Sequence, residues 1–172
     1  KPQDDAVKYL SVMFSAPTAL CQMLVSAYGE HDAMEILRYR PKDRSVTVRV
    51  NYLRCDDARL RSLFADDELE FDPGILPGMY KVHSAGDMRA FQNGLFTIQG
   101  ESSVLAARMV GAKPGQTVLD ACAAPGGKTA VLSEMMGDTG RVYAWDTHAH
   151  RVELIRGTMN RLKLENVRPA VK

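Results

Sequence analysis

The run from Asp120 to Thr129 reads Asp-Ala-Cys-Ala-Ala-Pro-Gly-Gly-Lys-Thr, and its residue types and spacing suit it to holding a ligand. An apolar stretch (Val118, Leu119) ends in an acid, a loop of small residues follows, and a helical pattern begins after two adjacent glycines. Such a strand–loop–helix lets backbone approach a cofactor closely and points helix N-terminal N–H groups at it. Three cofactor classes compete. A nucleoside triphosphate loop needs glycine five positions before its Gly-Lys, and Cys122 stands there. The Gly-x-Gly-x-x-Gly spacing of a dinucleotide loop is absent. S-adenosylmethionine has no pyrophosphate, and two adjacent glycines suffice for close approach to its amino-acid end and sugar. A carboxylate for the ribose hydroxyls is then expected at the end of the next strand. Arg141–Asp146 supplies it: Asp146 lies twenty residues after Gly126. An ordinary strand–helix turn explains the glycines alone, but not the strand, helix and spaced acid together.

The elements that must position these residues follow from periodicity. A strand over 117–121, a helix over 128–137, a strand over 141–146, a helix over 148–163 and a strand from Val167 form β-α-β-α-β, the pattern of an open parallel sheet. A helix carrying Val104, Leu105 and Met109 precedes them and stops at Gly111. Residues 5–28 read as helical, with Leu20, Met23, Leu24 and Tyr28 at helical spacing and Gly29 as a stop. Asp32 is a candidate cap for a short second helix with Ala33, Ile36 and Leu37 inside, ended by Pro41. Val46, Val48 and Val50 alternate with Thr47 and Arg49 as a half-buried strand. Asp56 caps a helix carrying Leu60, Leu63 and Phe64, and Met79–Val82 and Leu95–Ile98 are further strands. Residues 66–72 are acidic, and Gly74 and the Pro77-Gly78 pair punctuate the loop after them. The expected organisation is a small α+β region over 1–90 and the first half of a Rossmann-like domain over 91–172.

Charged residues at 25% and apolar ones at 45% are globular averages, which argues against disorder. A net charge of +1 selects no partner. No apolar run approaches the ~18 residues of a membrane span, and no signal-peptide layout opens the chain. Cys21, Cys55 and Cys122 are too scattered for a disulfide framework or a paired-cysteine zinc site, so a cytoplasmic setting is expected. His148 and His150 lack a third ligand at suitable spacing, so no metal is expected.

Beyond these readings, Asp120–Thr129 resembles motif I of the Sun-type (Fmu-type) family of RNA 5-methylcytosine methyltransferases. Phe91–Gln99 followed by Glu101-Ser-Ser resembles the family stretch before that motif, and Asp146 with Arg151 resembles its acid-and-arginine pair. Asn160-Arg-Leu with Asn166-Val is similar to the passage that follows. Tyr9-Leu-Ser11, Ser15-Ala-Pro17, Tyr28-Gly29 and Thr47–Asn51 extend the resemblance over nearly the whole chain. Gly100 departs from the pattern, which usually has Asp there.

The resemblance implies an S-adenosylmethionine-dependent Rossmann-like methyltransferase acting on RNA, with small-subunit ribosomal RNA as the expected substrate and transfer RNA as the alternative. It implies cofactor contacts from Cys122, Ala123, Ala124, Pro125, Gly126, Gly127, Lys128, Asp146 and Arg151, and a monomeric protein. In the family, a cysteine thiolate adds to C6 of cytosine and so activates C5. The motifs that carry that cysteine and its partner are absent from the 172 residues, as is the helical domain expected before residue 1. The chain alone is therefore expected to be inactive. Cys122 belongs to the cofactor loop rather than to catalysis; Cys21 reads as core and Cys55 as a loop thiol. Lys128 is the catalytic candidate: in the family it reaches the target base, and a cation there stabilises charge building on the pyrimidine. Read alone, Lys128 is a first-turn lysine mildly disfavoured by the helix dipole, and Arg151 equally fits an exposed helix residue.

Residues 38–61 hold eight bases (Arg38, Arg40, Lys42, Arg44, Arg49, Arg54, Arg59, Arg61) and three acids (Asp43, Asp56, Asp57). That density could track phosphates or form a solvated basic face. A non-catalytic RNA-binding module that retains the loop is the competing reading.

Overall fold

A computed structural model describes residues 5–40, 45–83 and 89–172. The chain divides into two compact units, residues 1–44 and 45–172. The boundary thus lies well before residue 90, for a reason given below.

The first unit is a helical pair. Helix α1 (Ala6–Phe14) is capped by Asp5, whose carboxylate accepts the Lys8 N–H at 3.0 Å, and ends at Ser15 with φ +51°. Helix α2 (Thr18–Arg38) follows Pro17 and leaves helical geometry at Gly29, with φ +78°. The expected break is therefore present. Leu10, Cys21 and Ala33 form the buried centre, whereas Met23, Tyr28 and Ile36 are exposed, so the inner face is narrower than helical spacing implied. Pro41, expected to end the second helix, lies outside the described residues.

In the second unit, β1 (Val46–Val50) is the centre of an antiparallel sheet with β2 (Phe71–Pro73), β3 (Met79–Val82) and β4 (Phe96–Ile98), in the order β2-β3-β1-β4. Val48 pairs with Tyr80 on one side and Ile98 on the other. Strand β2 lies where the sequence pattern marks no strand; Phe71 recruits it by packing on Phe64 and Tyr80. Helix α3 (Asp57–Asp66) starts where the Asp56 carboxylate accepts the Arg59 N–H at 2.8 Å and buries Leu60 and Phe64 against the sheet. Because β4 completes this sheet, a division at residue 90 would cut through it.

After the short α4 (Arg89–Gln92) and after β4 comes α5 (Glu101–Arg108), followed by a parallel sheet of β5 (Thr117–Asp120), β6 (Arg141–Asp146) and β7 (Val167–Val171). Helices α6 (Gly127–Met135) and α7 (Ala149–Leu162) form the crossovers. Val142 and Ala144 of β6 are fully buried with Leu132, Met136, Ile155 and Leu162, so the core lies between these helices and one sheet face. Leu119, on the other face, is half exposed. This is the first portion of a Rossmann-like sheet, as the periodicity predicts. No helix among the described residues is long and apolar enough to cross a membrane.

Candidate cofactor site

The glycine loop is fastened at four points. At the C-terminal end of β5, the Asp120 carboxylate accepts the Thr129 hydroxyl at 2.7 Å, tying the strand end to the first turn of α6. The Ala123 N–H donates to the Trp145 carbonyl at 2.9 Å, which lays the loop along β6. The Gly126 N–H donates to the Ala123 carbonyl at 2.7 Å and turns the chain into α6. The Thr158 hydroxyl of α7 donates to the Pro125 carbonyl at 2.9 Å.

Gly126 has φ +104°, and a Cβ there would stand 3.1 Å from Met159 Cε and 3.5 Å from the Ile155 backbone. Only glycine adopts that geometry at low cost while the loop lies this close to α7. The first turn of α6 then leaves N–H groups without intrahelical acceptors, as every helix start does; the Ala130 N–H is the first to bond back, to Gly126 at 2.9 Å. Lys128 lies in this turn and is exposed.

Asp146 ends β6 beside the loop and is only 4% exposed. Its Oδ2 accepts the Ala124 N–H at 3.3 Å and lies 3.5 Å from an Arg151 guanidinium nitrogen. Its Oδ1 is buried with no hydrogen-bond partner. A buried carboxylate oxygen without a donor is costly, so the group suits a ligand that brings hydroxyls. A ribose diol is such a ligand.

The structure therefore brings Ala123, Ala124, Pro125, Gly126 and Gly127 together with Asp146 and Arg151 around one loop, with Cys122 exposed at the loop's start and Lys128 at its end. His148 and His150 are exposed with ring centroids 5.6 Å apart. No cluster of ligating side chains among the described residues could hold a metal. Cys21 is buried; Cys55 is buried too, and burial pushes its thiol upward, away from the thiolate a nucleophile needs.

One expectation is corrected. Arg49, counted among the bases that could track phosphates, is 3% exposed and bound to Glu134 on α6. A valine-alternating strand predicts that it faces water; instead α6 covers that side of the sheet. Arg54, Arg59 and Arg61 are exposed, and Lys42, Asp43 and Arg44 lie outside the described residues. Periodicity also passed over Thr158, which bonds the loop, and Gln99, which lies against Gly127: a buried glutamine after a strand gives no signal that it faces a glycine loop far along the chain.

Residues 107–170 match the family described as 16S rRNA methyltransferase RsmB/F. The chain is 39% identical, over 94% of its length, to a probable ribosomal RNA small subunit methyltransferase B of Bacillus subtilis, and 28% identical over 92% to the Synechocystis protein of the same description. It spans 37% of the length of each of these relatives. Among solved structures, the crystal structure of PH0851 superposes on all of the chain with a TM-score of 0.77 at 27% identity, the chain covering 40% of that protein. These matches support a member of the Sun-type (RsmB/F) family.

Proposed function

We propose that this chain holds S-adenosylmethionine for methylation of cytosine C5 in RNA, with small-subunit ribosomal RNA as the substrate. The observation that carries the cofactor reading is the unpartnered, buried Oδ1 of Asp146 beside the glycine loop. Its carboxylate would accept the ribose hydroxyls, with Arg151 holding the other oxygen. The loop from Cys122 to Gly127 would follow the amino-acid end, and the N–H groups at the start of α6 would face its carboxylate.

When bound there, S-adenosylmethionine supplies an electrophilic methyl group. Lys128, exposed in the first turn of α6, would place a cation beside the pyrimidine and stabilise charge developing on it. Cys122 serves the loop. With Cys21 and Cys55 buried, these 172 residues alone are expected to bind cofactor without turnover. The substrate assignment follows the Bacillus subtilis relative, whose description names small-subunit ribosomal RNA. RNA would meet the exposed Arg54, Arg59 and Arg61, and the protein is proposed to act as a monomer.

The test is calorimetric titration of the full-length protein with S-adenosylmethionine, followed by methyl transfer to a 16S ribosomal RNA transcript. Saturable one-to-one binding and a C5-methylated product are expected. Absence of cofactor binding by intact protein overturns the reading, and methylation of transfer RNA alone moves the substrate.

A further inference from the structure

The antiparallel sheet and the glycine loop meet through one buried cluster. Arg49 Nε donates to Gln99 Oε1 at 2.9 Å. One terminal nitrogen donates to the Val50 carbonyl at 3.2 Å and to Glu134 Oε2, and the other donates to Glu134 Oε1 at 2.9 Å. A planar guanidinium with four of its five N–H groups donating is a rigid fork. Glu134 stands near the C-terminal end of α6, and burial pushes its carboxyl upward against the pull of Arg49.

Gln99 extends the cluster to the other end of the same helix. Its oxygen is held by Arg49, and flipping the amide would set two donors against each other. The amide nitrogen Nε2 is therefore fixed away from Arg49. It is buried without a hydrogen-bond partner, and it lies against Gly127: a Cβ built there would stand 3.3 Å from Nε2 and 3.5 Å from Gln99 Cδ. Helix α6 thus meets the cluster near both ends: Glu134 is bound by the arginine, and Gly127 lies against the glutamine that the arginine orients.

We propose that Arg49 and Gln99 are positioning residues for the cofactor loop: together they set the start of α6, and with it Lys128 and the neighbouring N–H groups, in the geometry that ligand binding requires. The proposal rests on the reading that this loop holds S-adenosylmethionine. It also gives a reason for glycine at Gly127, a position with no left-handed backbone: a side chain would press on the amide that Arg49 holds in place.

The test uses Gln99→Met, which keeps bulk against Gly127 but removes the acceptor for Arg49, and Arg49→Lys, which keeps the charge but loses the fork. Both are made in the full-length protein. Two quantities are measured: affinity for S-adenosylmethionine, and amide hydrogen exchange at Gly126 and Ala130, whose bonds close the loop, against Val142 in the middle of the parallel sheet. Both variants are expected to bind at least tenfold more weakly and to exchange at least tenfold faster at Gly126 and Ala130, with Val142 unchanged. Unchanged exchange at the loop overturns the proposal. So does equal acceleration at all three amides, or failure of both variants to fold, since each marks a general structural role. If the unaltered protein does not bind the cofactor, the cofactor reading fails, and the exchange pattern still decides whether this cluster sets the loop.

Discussion

Asp146 shows how a single buried oxygen can define a site. One of its carboxylate oxygens is engaged by the Ala124 N–H and approached by Arg151, while the other has no donor. Asp146→Asn removes the charge with little change of shape. Hydrogen bonds to a charged group are worth about 1.5–3 kcal/mol, so affinity for S-adenosylmethionine should fall by roughly tenfold to a hundredfold by calorimetry, with the fold intact by circular dichroism. Unchanged affinity would remove Asp146 from the site. A second residue-scale prediction concerns Asp57, whose carboxylate accepts the Tyr52 hydroxyl at 2.7 Å and the Tyr80 hydroxyl. Burial alone would raise the Asp57 carboxyl; the Tyr80 and Tyr52 bonds outweigh it and hold it below the usual 3.8. Burial, then the bond to Asp57, pushes both phenols up to about 12. The stabilisation from ionised Asp57 is complete above 3.8 and is lost as pH falls through its lower folded value. Tyr52→Phe should move the Asp57 titration upward in an NMR pH series; an unmoved titration would mean that Tyr80 alone holds the carboxylate down.

At the scale of elements, the glycine loop is sound because α7 lies against it. Gly126 combines φ +104° with Met159 Cε at 3.1 Å from a notional Cβ, so Gly126→Ala meets both strain and crowding. The strain alone is about 1–2 kcal/mol. Urea unfolding should show a loss of at least that size, together with weaker cofactor binding; a loss below half of it would mean that the loop relaxes freely. Much of this element was legible beforehand. The strand, loop, helix and spaced Asp146 each left a local signal, because backbone approach needs glycine and helix–strand alternation has a period. Strand β2 left none. It is three residues long and ends the acidic run at Asp72, and it joins the sheet through Phe71 on Phe64, at ring centroids 5.4 Å apart. Arg49 was misplaced for the same reason: alternation assigns faces of a strand, and only the partner elements decide whether both faces are covered.

At the scale of the whole molecule, the least legible fact was that residues 45–172 form one compact unit. The switch from short α+β elements to a β-α-β-α-β pattern suggested a boundary near residue 90, but long-range contacts there are made by single residues that no local pattern marks. Asn51, fully buried, donates its amide to the Gly94 carbonyl at 2.9 Å and to the Leu162 carbonyl at 3.1 Å, so the turn before β4 is fastened to the end of α7. Arg161 reinforces the joint, donating to the Phe91 and Phe96 carbonyls at 2.9 and 3.1 Å and stacking 3.8 Å above the Phe91 ring. Gly94 is the tightest point, with φ +70° and a notional Cβ only 2.0 Å from the Arg161 carbonyl oxygen. Gly94→Ala cannot be absorbed by a side-chain shift, because the obstacle is backbone. A loss above about 4 kcal/mol is expected, the range reserved for strain at a special backbone position or a broken buried network. Trp145, the one tryptophan of the chain, reports on the parallel sheet, and a fluorine label on Phe64 reports on the antiparallel one. In the unaltered protein the two probes should unfold at the same urea concentration. In Gly94→Ala both midpoints should fall. A Trp145 transition that stays in place while the Phe64 transition moves would show that the two sheets fold independently and that this joint does not couple them.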